Sequence, residues 1–155
     1  MNKKLILTII AIIFIVIIGV AIKNDSKPVS SLAPIKVGVL APIAGDFAKY
    51  GEPVVNTIKM FADDYNKQSE VVNGTWPRVE VIYEDTHADI KTAVSAYQKL
   101  TSLDKIDVLV GPLLQAEMSA LMPLIKKDNI PVFAAVPIPK DLRGNTSNPI
   151  AFWPD

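Results

Sequence analysis

Cysteine is absent from the 155 residues. That excludes disulfides, thiolate metal sites, a cysteine nucleophile and lipid attachment through an N-terminal cysteine. Histidine occurs once, at His87, which leaves a transition-metal site little to build on. His87 stands beside Glu84, Asp85 and Asp89. It reads as an exposed loop histidine next to capping carboxylates rather than as half of an acid–base pair. The glycines never form G-x-G-x-x-G, and no P-loop lysine follows the first strand, which disfavours a dinucleotide enzyme. Ser119 has no histidine near it and no nucleophile elbow around it. No basic stripe appears, so nucleic acid is a poor partner. Internal repeats are missing as well.

What the chain has in excess is apolar residues, and many of them lie in one block. Met1–Lys4 is short and basic, and Leu5–Ile22 is an 18-residue run in which only Thr8 is polar. As a helix that run would extend about 27 Å, close to the roughly 30 Å hydrocarbon core of a bilayer. Residues 1–22 therefore read as a membrane anchor or a signal segment. The length favours a retained anchor, while Gly19-Val20-Ala21 is a weak match to a cleavage site. Lys3 and Lys4 would stay in the cytoplasm, which puts the rest of the chain outside the membrane. They are two of the 16 basic residues, so the remainder carries 14 against 16 acidic ones. Residues 23–34, KNDSKPVSSLAP, read as a flexible linker.

Beyond the linker, strand and helix patterns alternate. Ile35–Ala41 is an apolar run of the kind buried on both faces, and it ends in the loop Pro42-Ile43-Ala44-Gly45-Asp46. Val54–Asn66 is expected to be a helix with Val54, Val55, Ile58, Phe61, Ala62 and Tyr65 on its inner stripe. Lys67–Pro77 is polar and expected to be loop. Arg78–Asp85 is expected as a strand. A helix over Asp89–Leu103 would face inward with Ile90, Ala93, Val94, Tyr97 and Leu100, capped by Asp89. Ile106–Val110 is a third strand, closed by Gly111-Pro112. Gln115–Asp128 is a third helix in which Pro123 should produce a kink or a break. Pro131–Val136 is a fourth strand, and Ala151-Phe152-Trp153 begins a fifth. This order implies an open parallel α/β sheet with helices on both faces. In such sheets ligands gather at the carboxyl ends of the strands. Tyr50, in the loop after the first strand, and Gln115, just after the third, are the side chains best placed to meet one. Each also has a local role open to it: Tyr50 as a staple on the first helix, Gln115 as a helix cap.

The stretch IKVGVLAPIAGDFAKYGEPVVNTIKMFADDYN resembles the opening of the type I extracytoplasmic solute-binding proteins of the leucine/isoleucine/valine-binding family. RVEVIYEDT followed by DIKTAVSAYQKL is similar too, as is IDVLVGPLLQAEMSALMPLIKKDNIPVF. The likeness runs over residues 35–155. It implies the first α/β lobe, incomplete, of a two-lobed receptor that binds a small solute in an interlobe cleft. Such receptors do no chemistry, need no cofactor and deliver the solute to an ABC permease in the membrane. The alternative is a membrane-anchored sensing ectodomain of the same fold acting on a partner protein.

Residue by residue, the resemblance implies ligand-side positions at Tyr50, Gln115, Val136 and Ile138. Tyr50 matches an aromatic that lines the ligand side. Gln115 falls where amino-acid binders carry a carboxylate-binding serine, and Val136 where a backbone carbonyl meets the ammonium. Ile138 falls where they carry a threonine, and Ala44 where serine or threonine is usual. Hydroxyl donors for a free amino acid's carboxylate are therefore largely missing, and an amide, a less polar solute or a different pose fits equally.

Overall fold

In a computed structural model, which describes residues 32–71, 76–134, 136–137 and 151–152, β1 (Ile35–Ala41) is the strand the others are set against. It pairs in parallel with β2 (Val79–Asp85) on one side and β3 (Val108–Val110) on the other. β4 (Val132–Phe133) and β5 (Ala151–Phe152) continue the parallel sheet, giving the order β2-β1-β3-β4-β5. Three helices lie between the strands: α1 (Ala48–Val71), α2 (Ile90–Lys99) and α3 (Gln115–Asp128). A short 3-10 turn, Gly45–Phe47, precedes α1, and a π-helical turn, Leu100–Asp104, follows α2. The apolar segment 5–22 lies outside the described residues; among those described, no helix is long and apolar enough to cross a membrane.

Side-chain alternation along β1 explains the layering. Leu40, with Leu109 of β3 and Val132 of β4, faces a core built from Ala96, Tyr97, Leu100, Met118, Leu121, Met122 and Ile125 of the α2 and α3 side. Val39 and Ala41 face the other way, onto Val55 of α1, with Val37, Ile58, Val81 and Val110 around them. The expected parallel sheet with helices on both faces is present. Tyr97 donates a hydrogen bond to Asp128 at 3.1 Å and so ties α2 to the end of α3. Burial, then that carboxylate, pushes the Tyr97 phenol above its ordinary range.

Several boundaries differ from the sequence expectation. α1 runs further at both ends, taking in Tyr50 and continuing through Lys67–Val71. Phe61, expected inside, is 66 % exposed. It lies six residues from buried Val55, about 120° away around a helix of 3.6 residues per turn. Ile90 is also exposed, in the first turn of α2 ahead of the buried run that opens at Ala93. β3 is shorter than expected, although Ile106 still packs in the core. β4 has two residues because only Leu109 and Val110 remain to pair with before Gly111. α3 is continuous through Pro123, so of the expected kink or break the break does not occur. Met118, Leu121, Met122 and Ile125, buried on both sides of the proline, hold the helix against the core.

One contact had no counterpart in the sequence reading. Asn66, buried in α1, accepts from the Val79 amide at 2.7 Å and donates to the Val79 carbonyl at 2.8 Å. It covers the backbone at the start of β2, the edge strand, which would otherwise be open to pairing.

The start of α1 is fixed by a close approach. A Cβ on Gly51 would stand 1.9 Å from the Pro42 carbonyl oxygen. Gly51→Ala should therefore lower stability by about 3 kcal/mol, at the upper end of overpacking costs because the obstacle is backbone. A thermal melt compared with wild type checks this, and an unchanged midpoint would mean that the two segments do not touch.

Candidate functional site at the carboxyl ends of the strands

Because all the strands are parallel, their exits share one edge. β1 leaves through Pro42, Ile43 and Ala44 into the 3-10 turn. β2 leaves through Thr86, His87 and Ala88; β3 leaves through Gly111 and Pro112, joined by a cis peptide, to the start of α3. Tyr50 stands at this edge in the first turn of α1 rather than in the loop, and is 59 % exposed. Its ring lies 6.4 Å from that of Phe47, tilted by 45°, and Lys49 Nζ is 5.1 Å from its centroid. Gln115 is the exposed first residue of α3. The cap position is Leu114, which makes no side-chain cap, so Gln115 does not cap the helix. Val136 is half-buried against the α2–α3 core. Ile138 lies outside the described residues. The fold thus brings Tyr50, Gln115 and the exit of β4 to one edge.

Asp85, the last residue of β2, organises the loops there. Its Oδ1 accepts from the Ile43 amide at 3.0 Å and from the His87 amide at 2.8 Å. Oδ2 is 3.3 Å from His87 Nδ1. One carboxylate therefore joins the exits of β1 and β2. The Thr86 amide adds a bond to the Ala41 carbonyl at 3.1 Å. His87 and Ala88 have φ of 51° and 56°, in the left-handed region, and the two bonds to the loop hold them there. Asp89 caps α2 as expected, accepting from the Thr92 amide at 2.8 Å and the Thr92 hydroxyl at 2.7 Å. Those bonds, the amide first, lower the Asp89 carboxyl below its ordinary value. Among the described residues no three histidine or carboxylate side chains converge as a metal site would need.

Two residues at this edge escaped the sequence reading. Thr86 is fully buried, and Glu117 is buried in the first turn of α3. Burial raises the Glu117 carboxyl above its ordinary value; nearby Asp89 and Asp85 add to that, while Thr86 and the Leu114 backbone offset part of it. A glutamate at the third position of a helix that lacks a capping side chain is a legible signal.

The model of a family described as periplasmic binding protein matches residues 34–154. A search of curated proteins returned no match. Among solved structures, the chain is similar to an ABC transporter substrate-binding protein from Sphaerobacter thermophilus, with 22 % identity, 65 % of this chain and 26 % of that one covered, and a TM-score of 0.56. It is similar to a branched-chain amino acid transporter substrate-binding protein from Streptococcus pneumoniae in complex with isoleucine, with 22 % identity, 70 % and 30 % coverage, and a TM-score of 0.57. A solute-binding protein of an ABC transporter from Rhodopseudomonas palustris in complex with 3,4-dihydroxybenzoic acid aligns at 25 % identity, 65 % and 26 % coverage, and a TM-score of 0.56. The aligned part thus spans under a third of the length of these solved chains.

Asp85→Ala should unfasten both loops and cost about 2 kcal/mol, since it strands two backbone donors. Asp85→Asn keeps an oxygen acceptor and should cost less than half of that. Chemical denaturation of the two variants checks the order; equal losses would mean that charge, not acceptance of the two amides, is what matters.

Proposed function

The chain belongs to the periplasmic binding protein family, and on that premise we propose that its strand-end edge is one wall of an interlobe cleft that holds a small solute outside the cytoplasm. The observation that carries this reading is the convergence of the β1, β2 and β3 exits on one edge, the first two fastened together by Asp85. A second lobe supplies the opposite wall, because a pocket must cover most of a small ligand's surface to hold it. The protein binds and releases without chemistry, and passes the solute to an ABC permease.

The solute is a small carboxylic acid or amide. Two of the solved relatives hold isoleucine and 3,4-dihydroxybenzoic acid, both carboxylic acids. On this wall, exposed Tyr50 beside Phe47 offers an aromatic surface, and Gln115 offers an amide that both donates and accepts. The Val136 carbonyl and Ile138 complete the proposed contact set. A second reading, a sensing ectodomain anchored through residues 5–22, is favoured by the 18-residue apolar run with no lipid-attachment cysteine. Both readings share the cleft and differ in what closure acts on.

Calorimetric titration of the intact protein with L-isoleucine, L-glutamine and benzoate tests the binding reading. Saturable heat is expected with at least one of the three. Gln115→Ala and Tyr50→Ala should each weaken that binding by about fivefold to tenfold, the worth of one hydrogen bond or one aromatic contact. Turnover of any of them, or no binding by any, contradicts the proposal.

A further inference from the structure

The starts of β1, β2 and β3 form the edge opposite the candidate site. Neighbouring starts are tied by backbone bonds. The Ile35 amide donates to the Arg78 carbonyl at 2.8 Å, and the Asp107 amide to the Lys36 carbonyl at 2.8 Å. Large apolar side chains stand open to solvent there. Leu32 and Ile35 lead into β1, Trp76 precedes β2, and Leu103, 73 % exposed, lies in the π-helical turn before β3. Trp76 stacks on Tyr65 of α1 with ring centroids 6.0 Å apart, which holds the indole at the rim. Exposed apolar side chains gathered on one edge mark an interaction surface, where scattered ones do not.

Cations surround them. Lys105 ends the turn that carries Leu103, and Lys126 and Lys127 are exposed in the last turn of α3, which leads into β4 at the same edge. Two of the acidic groups here are already engaged: Asp107 accepts from the Lys36 amide at 2.8 Å, and Asp128 from the Tyr97 hydroxyl at 3.1 Å. Tryptophan with lysines around it is the composition of a surface that meets a bilayer. The indole settles at headgroup level and the ammonium groups meet lipid phosphates.

The order of the chain names the partner. Only residues 23–31 lie between Leu32 and the apolar run 5–22. Fully extended, that stretch reaches about 30 Å. With residues 5–22 in a bilayer, the amino-end edge is the part of the fold tied nearest to it. A tether that short gives an effective concentration of millimolar order, so a weak contact is well populated.

We propose that the amino-end edge docks on the membrane that holds residues 5–22, with Leu103 and Trp76 at headgroup level and Lys105 and Lys127 against lipid phosphates. The proposal rests on the reading of residues 5–22 as an anchor. It is independent of the solute wall, which it leaves on the side of the sheet turned away from the bilayer.

Quenching of tryptophan fluorescence by brominated lipid tests this on the full chain. A Trp153→Phe parent leaves Trp76 as the only tryptophan. It is reconstituted in vesicles of phosphatidylcholine with about 30 % phosphatidylglycerol, an anionic surface that attracts lysines. In vesicles whose acyl chains carry bromine near the headgroup, Trp76 should lose about half of its emission, as an indole at the interface does. Leu103→Glu changes an exposed side chain and should restore most of that emission with the thermal midpoint unchanged. Lys105→Glu combined with Lys127→Glu should do the same. Quenching as strong in Leu103→Glu as in the parent, or none in a parent that floats with the vesicles, overturns the docking. A chain that does not float with them overturns the anchor and the docking with it, so the two failures are told apart. If Trp153→Phe does not fold, wild type against Leu103→Glu gives the same comparison, since Trp153 is common to both.

Discussion

The carboxyl end of β1 is crowded to the point where only glycine fits beside it. A Cβ on Gly51 would stand 1.9 Å from the Pro42 carbonyl oxygen, and one on Gly111, 2.3 Å from that of Leu40. Gly111 also has φ of 95°, open to glycine without strain. These two approaches bring the head of α1 and the exit of β3 against the same strand end. β1 is buried on both faces beyond Val37, so it cannot move to relieve either contact without disturbing both cores. The positions of the head of α1 and of the β3 exit follow from that packing.

Packing brings the loops together, and the Asp85 carboxylate fastens two of them. Asp85 accepts from two backbone amides in different loops. Glu117, in the first turn of α3, is buried with no donor in bonding geometry. One edge thus uses the same functional group in two ways, set by exposure. The division suits a binding surface: solute selectivity depends on polar groups held at fixed positions, since a misplaced or unmatched hydrogen-bonding group costs more than a matched one gains.

Much of the fold was legible from periodicity. The alternation of β-branched runs with 3.6-residue stripes announced the parallel sheet, and α3 and the Asp89 cap fall where the pattern puts them. Where the reading slipped, local signals competed with helix propagation. Lys67 to Val71 looked like loop because it is polar, yet lysine, glutamine and glutamate are good helix formers and α1 continues through them. Pro123 read as a kink or a break, but the helix is unbroken, since burial of the residues around it outweighs one missing hydrogen bond. Tyr50 was placed at the right edge and assigned to the wrong element, because Gly51 and Pro53 disguise the first turn of α1. Asn66 against Val79 and Asp85 against Ile43 join residues far apart in sequence, which no local pattern reports. The strand-end location of Tyr50 and Gln115 was legible because it follows from topology alone. The bonds that fix the loops around them were not.

The central claim is that this edge, and not another surface, is where a solute rests. A crystal structure of the intact protein grown with a bound solute tests it most directly. The solute should lie within contact distance of Tyr50 and Gln115, beside the loops fastened by Asp85. A solute seated instead at the amino ends of β1 and β2, in the depression of about 410 Å³ lined by Leu32, Pro34 and Arg78, would contradict it.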